Sequence, residues 1–366
     1  MTQAAWKSYF ILVSTILGLG VFLLPYTFFQ SGYYFLFWLI FWFIAFLILH
    51  LIFGEILLQT PSRHNLPGLS GIYLHKHAKH IVWFFDYFGM MGIFLIYFYF
   101  IKDIWPAFFG INPLLAKMLF AIFNLYFILR DIKIFAKMET FLTISIISLF
   151  FVIIIFLLPN VDLSNIEKAF SNSSKPFLPY GIILFAFSGI SALPVIVDLI
   201  GKNRKSYFMV NLFSLLTIGF LYLIFSLVVV GFIGSKIGDK ISSGFLDHLP
   251  RWLIFLSVFL ITLNITFVDM AFYLKRGLIY DYQLDKKIVN WIMVFSILFL
   301  VFFEPFENLI DLVDFVSSIF LGFNLIVISL IYLKLKEKKY FKFSNLLVIS
   351  LLVIFYLGII YEILQR

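Results

Sequence analysis

Apolar residues run through this chain in blocks of about 20, separated by short polar stretches. The blocks show neither the strict alternation of a half-buried strand nor the single apolar stripe of a surface helix. They predict membrane helices. We place eleven, at residues 8–31, 34–58, 82–108, 113–129, 138–158, 177–200, 207–233, 250–274, 289–304, 308–333 and 343–363. The fourth and ninth are short. The connections are brief, the longest being 59–81, 159–176 and 234–250.

Two blocks carry the same interruption. GVFLLP, Gly20 to Pro25, lies in the first, and GISALP, Gly189 to Pro194, lies in the sixth. Gly loosens a helix, and Pro removes a donor and crowds the preceding turn. One such run alone reads as an ordinary kink. Two at matching places read as discontinuous helices of a secondary transporter. Freed backbone groups are tolerated at membrane depth only where protein or a wet cavity covers them.

Composition narrows the classes. With 63% hydrophobic and 13% charged residues, the chain cannot be a soluble domain. It has no cysteine, which excludes a disulfide framework, a thiolate nucleophile and a cysteine-ligated metal. The 51 Phe read as lipid-facing and packing bulk. No cleavable signal peptide is expected, because the first block is too long and lacks a small-residue cleavage site.

Charge sets the orientation. With a cytoplasmic N-terminus, 19 of the 27 basic residues fall in loops on that side and 8 on the other. That is the bias of a multi-pass protein of the cell membrane. Basic loops facing anionic lipid account for the net charge of +8 without a nucleic acid partner. The first block then runs outward and the sixth inward. Gly20 and Gly189 differ by 169 positions, as do Pro25 and Pro194. The expectation is an all-α integral membrane bundle with a five-plus-five inverted repeat and discontinuous helices 1 and 6. The first repeat covers 1–158 and the second 176–333, with an extra peripheral helix at 343–363. Two antiparallel broken helices meeting at the midplane present free N–H groups and free carbonyls. That arrangement suits a zwitterion.

The run STILGLGVFLLPYTFFQSG resembles the first helix of the amino acid/auxin permease group and of the bacterial tyrosine/tryptophan permeases, through Gly18, Gly20, Leu24, Pro25 and Gly32. PYGIILFAFSGISALPVIVDLIGKNRKS is similar to the sixth helix of that group. Tyr97 followed by Asp103, and the pair Phe267 and Asp269, are looser likenesses. These groups belong to the amino acid–polyamine–organocation superfamily. The resemblance implies the five-plus-five fold and coupled amino acid uptake.

For the substrate we expect Thr15, Gly18, Leu19 and Gly20 from the first helix, Phe185, Phe187, Ser188 and Gly189 from the sixth, and Tyr97 as a lid. The glycines permit close backbone approach and the Phe rings form an apolar wall. The cargo is a neutral amino acid, aromatic or large and apolar. Thr262, Thr266 and Asp269 share one face of the eighth helix. Sodium-coupled members of the superfamily bind the ion between first-helix carbonyls, here near Leu17 and Gly18, and eighth-helix hydroxyls. The plainer alternative is that both Thr bond their own helix. Asp269 is either part of that stripe or a partner of Lys275 or Arg276. No cofactor is expected beyond a coupling Na+ or H+. A buried carboxylate is not expected near either break, which tilts the reading toward sodium.

Other polar residues read as structural. Glu55 pairs with basic loop residues or relays protons, and His50 is a bonded packing residue. Lys102 and Asp103 form an interfacial pair. Asp311 and Asp314 favour a helix N-terminus. Arg63 to His80 is a solvated loop with a short amphipathic piece. An enzyme is excluded by the lack of any H-E-x-x-H, Gly-x-Ser-x-Gly or paired intramembrane Asp motif. The competing reading is a sensor that reuses the transporter fold, similar to the B subunits of spore germinant receptors, binding an amino acid without moving it.

Overall fold

The computed structural model describes residues 2–61, 63–130, 132–238, 249–253, 265–335 and 340–365. Helices are α1 Gln3–Ile16, α2 Leu24–Ser31, α3 Tyr33–Gln59, α4 Leu66–Tyr73, α5 Ala78–Phe109, α6 Pro113–Leu129, α7 Ile132–Leu157 and α8 Leu163–Ser171. They continue with α9 Leu178–Phe187, α10 Leu193–Ile200, α11 Arg204–Ile233, α12 Ile265–Tyr280, α13 Lys286–Phe302, α14 Leu309–Phe315, α15 Gly322–Lys334 and α16 Asn345–Gln365. Among the described residues, helical segments fall within the expected positions. Seven among the described residues are long and apolar enough to cross a membrane, and eight if the bent α1–α2 pair is one span. The eighth expected span is described as a helix only from Ile265 onward, so Thr262 lies outside the described residues.

Polar caps fix where helices begin. Asn112, Asp162, Asn203, Asp285 and Asn308 each accept a backbone N–H of the first turn. The first span breaks after Ile16 and the sixth after Phe187. Each break is followed by a short 3-10 turn, Leu19–Leu23 or Ile190–Ala192, before the helix resumes. Pro25 and Pro194 do not cause the breaks. Each lies in the first turn of the resumed helix, where its missing N–H needs no partner. Seven residues on, Gly32 and Gly201 end these helices at φ 54° and 63°, in the left-handed region that glycine alone enters freely. They too differ by 169 positions, so the repeated signal is longer than the six-residue motif.

The halves cross. α1 packs on α10 and α2 on α9, with α11 flanking both α1 and α2. α3 and α5 supply much of the surrounding core. α16 leans on α15 at the edge, with many exposed apolar side chains.

One expectation about the loops is corrected, and a further ion pair is added. The 63–80 stretch is not a solvated loop. Its helix α4 packs on α5, with Asn65 and Leu66 through Ser70 buried. The apolar Leu66 and Leu69 draw it inward, and Asp281 holds it there. Asp281 accepts from His64 Nδ1 at 2.8 Å and from the Gly68 N–H at 3.2 Å. Burial pushes its carboxyl up from the ordinary range, against the pull of His64. Lys102 binds Glu304 at 2.9 Å, and Lys117 reaches the same carboxylate at 2.5 Å, a two-lysine bridge across α5, α6 and the loop after α13. Partial burial pushes the Glu304 carboxyl up, but the two lysines together bring it below its usual range.

Candidate functional site

The first break turns on two residues. Leu17 ends α1 at ψ 70° and Gly18 is extended at φ −104°, ψ −156°. The chain then bends by 46°. Breaking the ladder frees carbonyls at the end of α1 and α9. The Ser14 carbonyl accepts from Thr266 Oγ1 of α12 at 2.9 Å. The hydroxyl of Tyr222, buried on α11, donates to Ile16 O at 3.0 Å and Ala186 O at 2.8 Å. One side chain thus ties the ends of both interrupted helices.

Between the breaks lies a small cavity. Thr15, Gly18, Leu19, Gly20, Tyr97, Phe185 and Ser188 line it, with Thr266 and four residues not anticipated, Ile16, Ile93, Ala186 and Met270. The Tyr97 hydroxyl is buried without a hydrogen-bond partner of normal geometry, beside Gly18. The cavity measures about 10 Å³, room for roughly one water and not for an amino acid. In this conformation the centre is closed on itself.

Two expected residues lie elsewhere. Phe187 is fully buried against Phe46 and Tyr222. Gly189 packs against Ile16 and Leu12 of α1. Of the ion candidates, Thr266 bonds across to Ser14 O. Leu17 is buried at the turn, its N–H on Val13 O.

A second, larger cavity of about 500 Å³ adjoins the first at Thr15, which lines both. Its wall includes Ser191, Asp269, Phe272, Tyr273 and a basic rim of Lys7, Arg63, Arg130, Lys275, Arg276 and Lys286. Its volume suits a small molecule. At the rim Asp198 binds Arg276 at 3.0 Å and Arg63 at 3.5 Å, while Lys275 donates to Ile128 O at 2.6 Å. Asp269 therefore faces a vestibule. On the far side of the break, four buried Phe close the path. Phe22 lies 5.7 Å from both Phe100 and Phe150 and 6.1 Å from Phe225 between ring centres. The vestibule thus approaches the closed centre from the basic end, and the Phe cluster packs at the other.

Glu55 and His50 are structural. Glu55 is buried, accepts from Gln59 at 2.7 Å and from the Phe341 N–H, and lies 3.9 Å from Arg204. His50 meets Asn211 Oδ1 at 3.0 Å. Tyr222 and the Phe plug have no distinguishing signal in the sequence, being one Tyr among 19 and four Phe among 51. Asp86 has one, a charge inside an apolar block.

Solved structures share this architecture. The transporter MhsT in complex with L-phenylalanine matches with TM-score 0.64 at 16% identity, over 98% of this chain and 97% of that one. The Eremococcus coleocola manganese transporter, solved with an aromatic bis-isothiourea compound, gives 0.65 at 13% identity, over 98% and 87%. Mhp1, a nucleobase-cation-symport-1 family transporter in a closed conformation with bromovinylhydantoin bound, gives 0.59 at 14% identity, over 99% and 90%. At these identities the likeness shows the fold: an all-α membrane bundle with a five-plus-five inverted repeat. No curated protein matches by sequence. The tryptophan/tyrosine permease family matches residues 1–244, a stretch holding both breaks, Tyr97 and Tyr222. With its two interrupted helices converging on one cavity, the chain belongs to the tryptophan/tyrosine permease family and is an amino acid transporter, not an enzyme.

Proposed function

We propose that this permease imports a neutral amino acid with an aromatic or large apolar side chain, by alternating access coupled to Na+ or H+. The observation that carries the reading is the convergence of both breaks on one glycine-lined cavity. The Gly18 and Gly20 backbone meets the carboxylate and ammonium of a zwitterion. Phe185, Ile93 and Met270 supply an apolar wall, and the unsatisfied Tyr97 hydroxyl supplies one polar contact. The family name and the L-phenylalanine seen with MhsT favour aromatic cargo. The small cavity must widen for binding, and the vestibule is the exit once the Phe plug has shut.

The protein sits in the cell membrane with its N-terminus and the vestibule facing the cytoplasm. Residues 1–158 and 176–333 are the two inverted repeats, and 343–363 is an appended helix. The test is uptake of a radiolabelled amino acid panel into proteoliposomes, with sodium and proton gradients imposed separately. Tryptophan, tyrosine and phenylalanine should accumulate in preference to small or charged amino acids. Binding without accumulation would make the protein a sensor, and accumulation of only small or charged amino acids would refute the substrate assignment.

A further inference from the structure

Asp86 stands on α5 with 4% of its surface exposed. Its Oδ1 accepts from Asn324 Nδ2 of α15 at 3.0 Å and from the Tyr273 hydroxyl of α12 at 3.5 Å. Three helices meet at this carboxyl. The titratable groups facing it are Tyr273 and, farther off, Asp281 with its partner His64. Among the described residues no Lys or Arg forms an ion pair with it. A buried carboxylate without a cation, near a second acid, is unfavourable. Asn324 Oδ1 is also buried, and it lacks a donor. Both deficits have one remedy. A proton on Asp86 removes the charge, and the resulting O–H supplies a donor beside an amide whose N–H already bonds the carboxyl.

The site is connected in two directions. Tyr273 also lines the 500 Å³ vestibule, so Asp86 lies one side chain behind its wall. Seven residues before Tyr273 on α12 is Thr266, two turns away on the same face, bonded to Ser14 at the first break. α12 therefore joins Asp86 to the substrate cavity.

We infer that Asp86 is the proton-binding carboxyl of the transport cycle, loaded and emptied past Tyr273 through the vestibule, with Asn324 as its positioning partner. The proton adds to a carboxylate oxygen and returns to water. The inference rests on the permease reading above and chooses H+ over Na+ as the coupling ion.

The first test needs no substrate. Infrared spectra of purified protein, titrated across pH, should show a protonated-carboxyl C=O band that rises on acidification and is missing in Asp86→Asn. A band unchanged in that variant, or no titrating band, overturns the inference. The second test uses L-tryptophan and L-tyrosine in proteoliposomes. For one proton per substrate, one unit of pH gradient supports about tenfold accumulation. Wild type should show it. Asp86→Asn should lose it entirely, while still exchanging internal for external amino acid without a gradient. Asp86→Glu should retain part of it. Accumulation by Asp86→Asn equal to wild type, or wild-type uptake driven by sodium alone, refutes the assignment. A misfolded variant would lose exchange as well, and Asp86→Glu together with the infrared band then decides. If wild type moves neither amino acid, the substrate reading fails and the infrared result still judges the proton site.

Discussion

Gly20 and Gly189 hold equivalent places in the two breaks, yet their neighbours differ. A Cβ on Gly20 would stand 2.9 Å from the Ala186 Cα, 3.0 Å from its Cβ and 3.1 Å from the Phe185 ring. A Cβ on Gly189 would stand 2.7 Å from the Ile16 Cγ1 and 3.0 Å from the Leu12 Cδ1. The first glycine lines the small cavity and faces the backbone of Ala186. The second faces side chains of α1 and lies outside the cavity lining. A repeated motif records that both helices stop. Which glycine lines the cavity is decided by how the halves cross, and the motif does not carry that.

The largest effect should come from Gly20→Leu. Backbone at 2.9 Å cannot rotate away, so α9 must shift and the cavity must distort. Overpacking of this kind costs about 1–3 kcal/mol, which is about 5-fold to 150-fold in affinity if it falls on the bound state. Tryptophan binding to the purified variant, followed by scintillation proximity, should drop by that factor while the protein still inserts and purifies. Undiminished binding would remove Gly20 from the site and erase the contrast between the breaks.

Tyr222→Phe comes next. The Ile16 carbonyl would keep the Gly18 N–H at 2.8 Å, but the Ala186 carbonyl would lose its 2.8 Å donor. A buried acceptor left unsatisfied costs about 1–3 kcal/mol. We expect a lower thermal midpoint in detergent, with substrate restoring less stability than in wild type. A midpoint equal to wild type would mean that the two breaks are not tied through this hydroxyl.

The interruptions were legible because Gly18 and Gly20 loosen an apolar block and Pro25 and Pro194 mark where each helix starts again. The spans were legible because their lengths match a bilayer. Contacts between distant segments were not. Nothing local says that the hydroxyl of Tyr222 finds Ile16 and Ala186, or that Lys102 and Lys117 share Glu304. The 63–80 stretch misled because its polar residues outnumber Leu66 and Leu69, while the partner that anchors it, Asp281, lies more than 200 positions away. Seven of the nine expected substrate residues line the small cavity, and Phe187 and Gly189 point elsewhere. The first-break residues share one cavity, but rotation of the second break about its own axis could not be read from its letters.

Thr266→Val examines how far the first break depends on α12. It removes the donor that Thr266, which lines the small cavity, gives to Ser14 O. The loss should be that of one net hydrogen bond, about 0.5–1.5 kcal/mol, seen as a modest fall in thermal midpoint. The same variant probes the ion. If sodium uses this carbonyl, tryptophan should bind wild type more tightly in sodium than in choline buffer at fixed pH, and the difference should vanish in Thr266→Val. Equal binding of wild type in both buffers excludes sodium here and leaves the proton route through Asp86.

Gly189→Ala should have the smallest effect, and it sharpens the comparison most directly. The backbone there, φ −130° and ψ 12°, is open to alanine. The added methyl presses on Ile16 and Leu12, side chains that can rotate, at a cost of about 1 kcal/mol. Replacing glycine stiffens the unfolded chain and returns about 0.4–1 kcal/mol. The two contributions nearly cancel, so the thermal midpoint should hardly move and tryptophan affinity should stay within about twofold. Gly20→Ala is the like-for-like control, since it adds the same methyl against backbone. If Gly189→Ala weakens binding as much as Gly20→Ala, the breaks are functionally equivalent, and the asymmetry drawn from their neighbours is wrong.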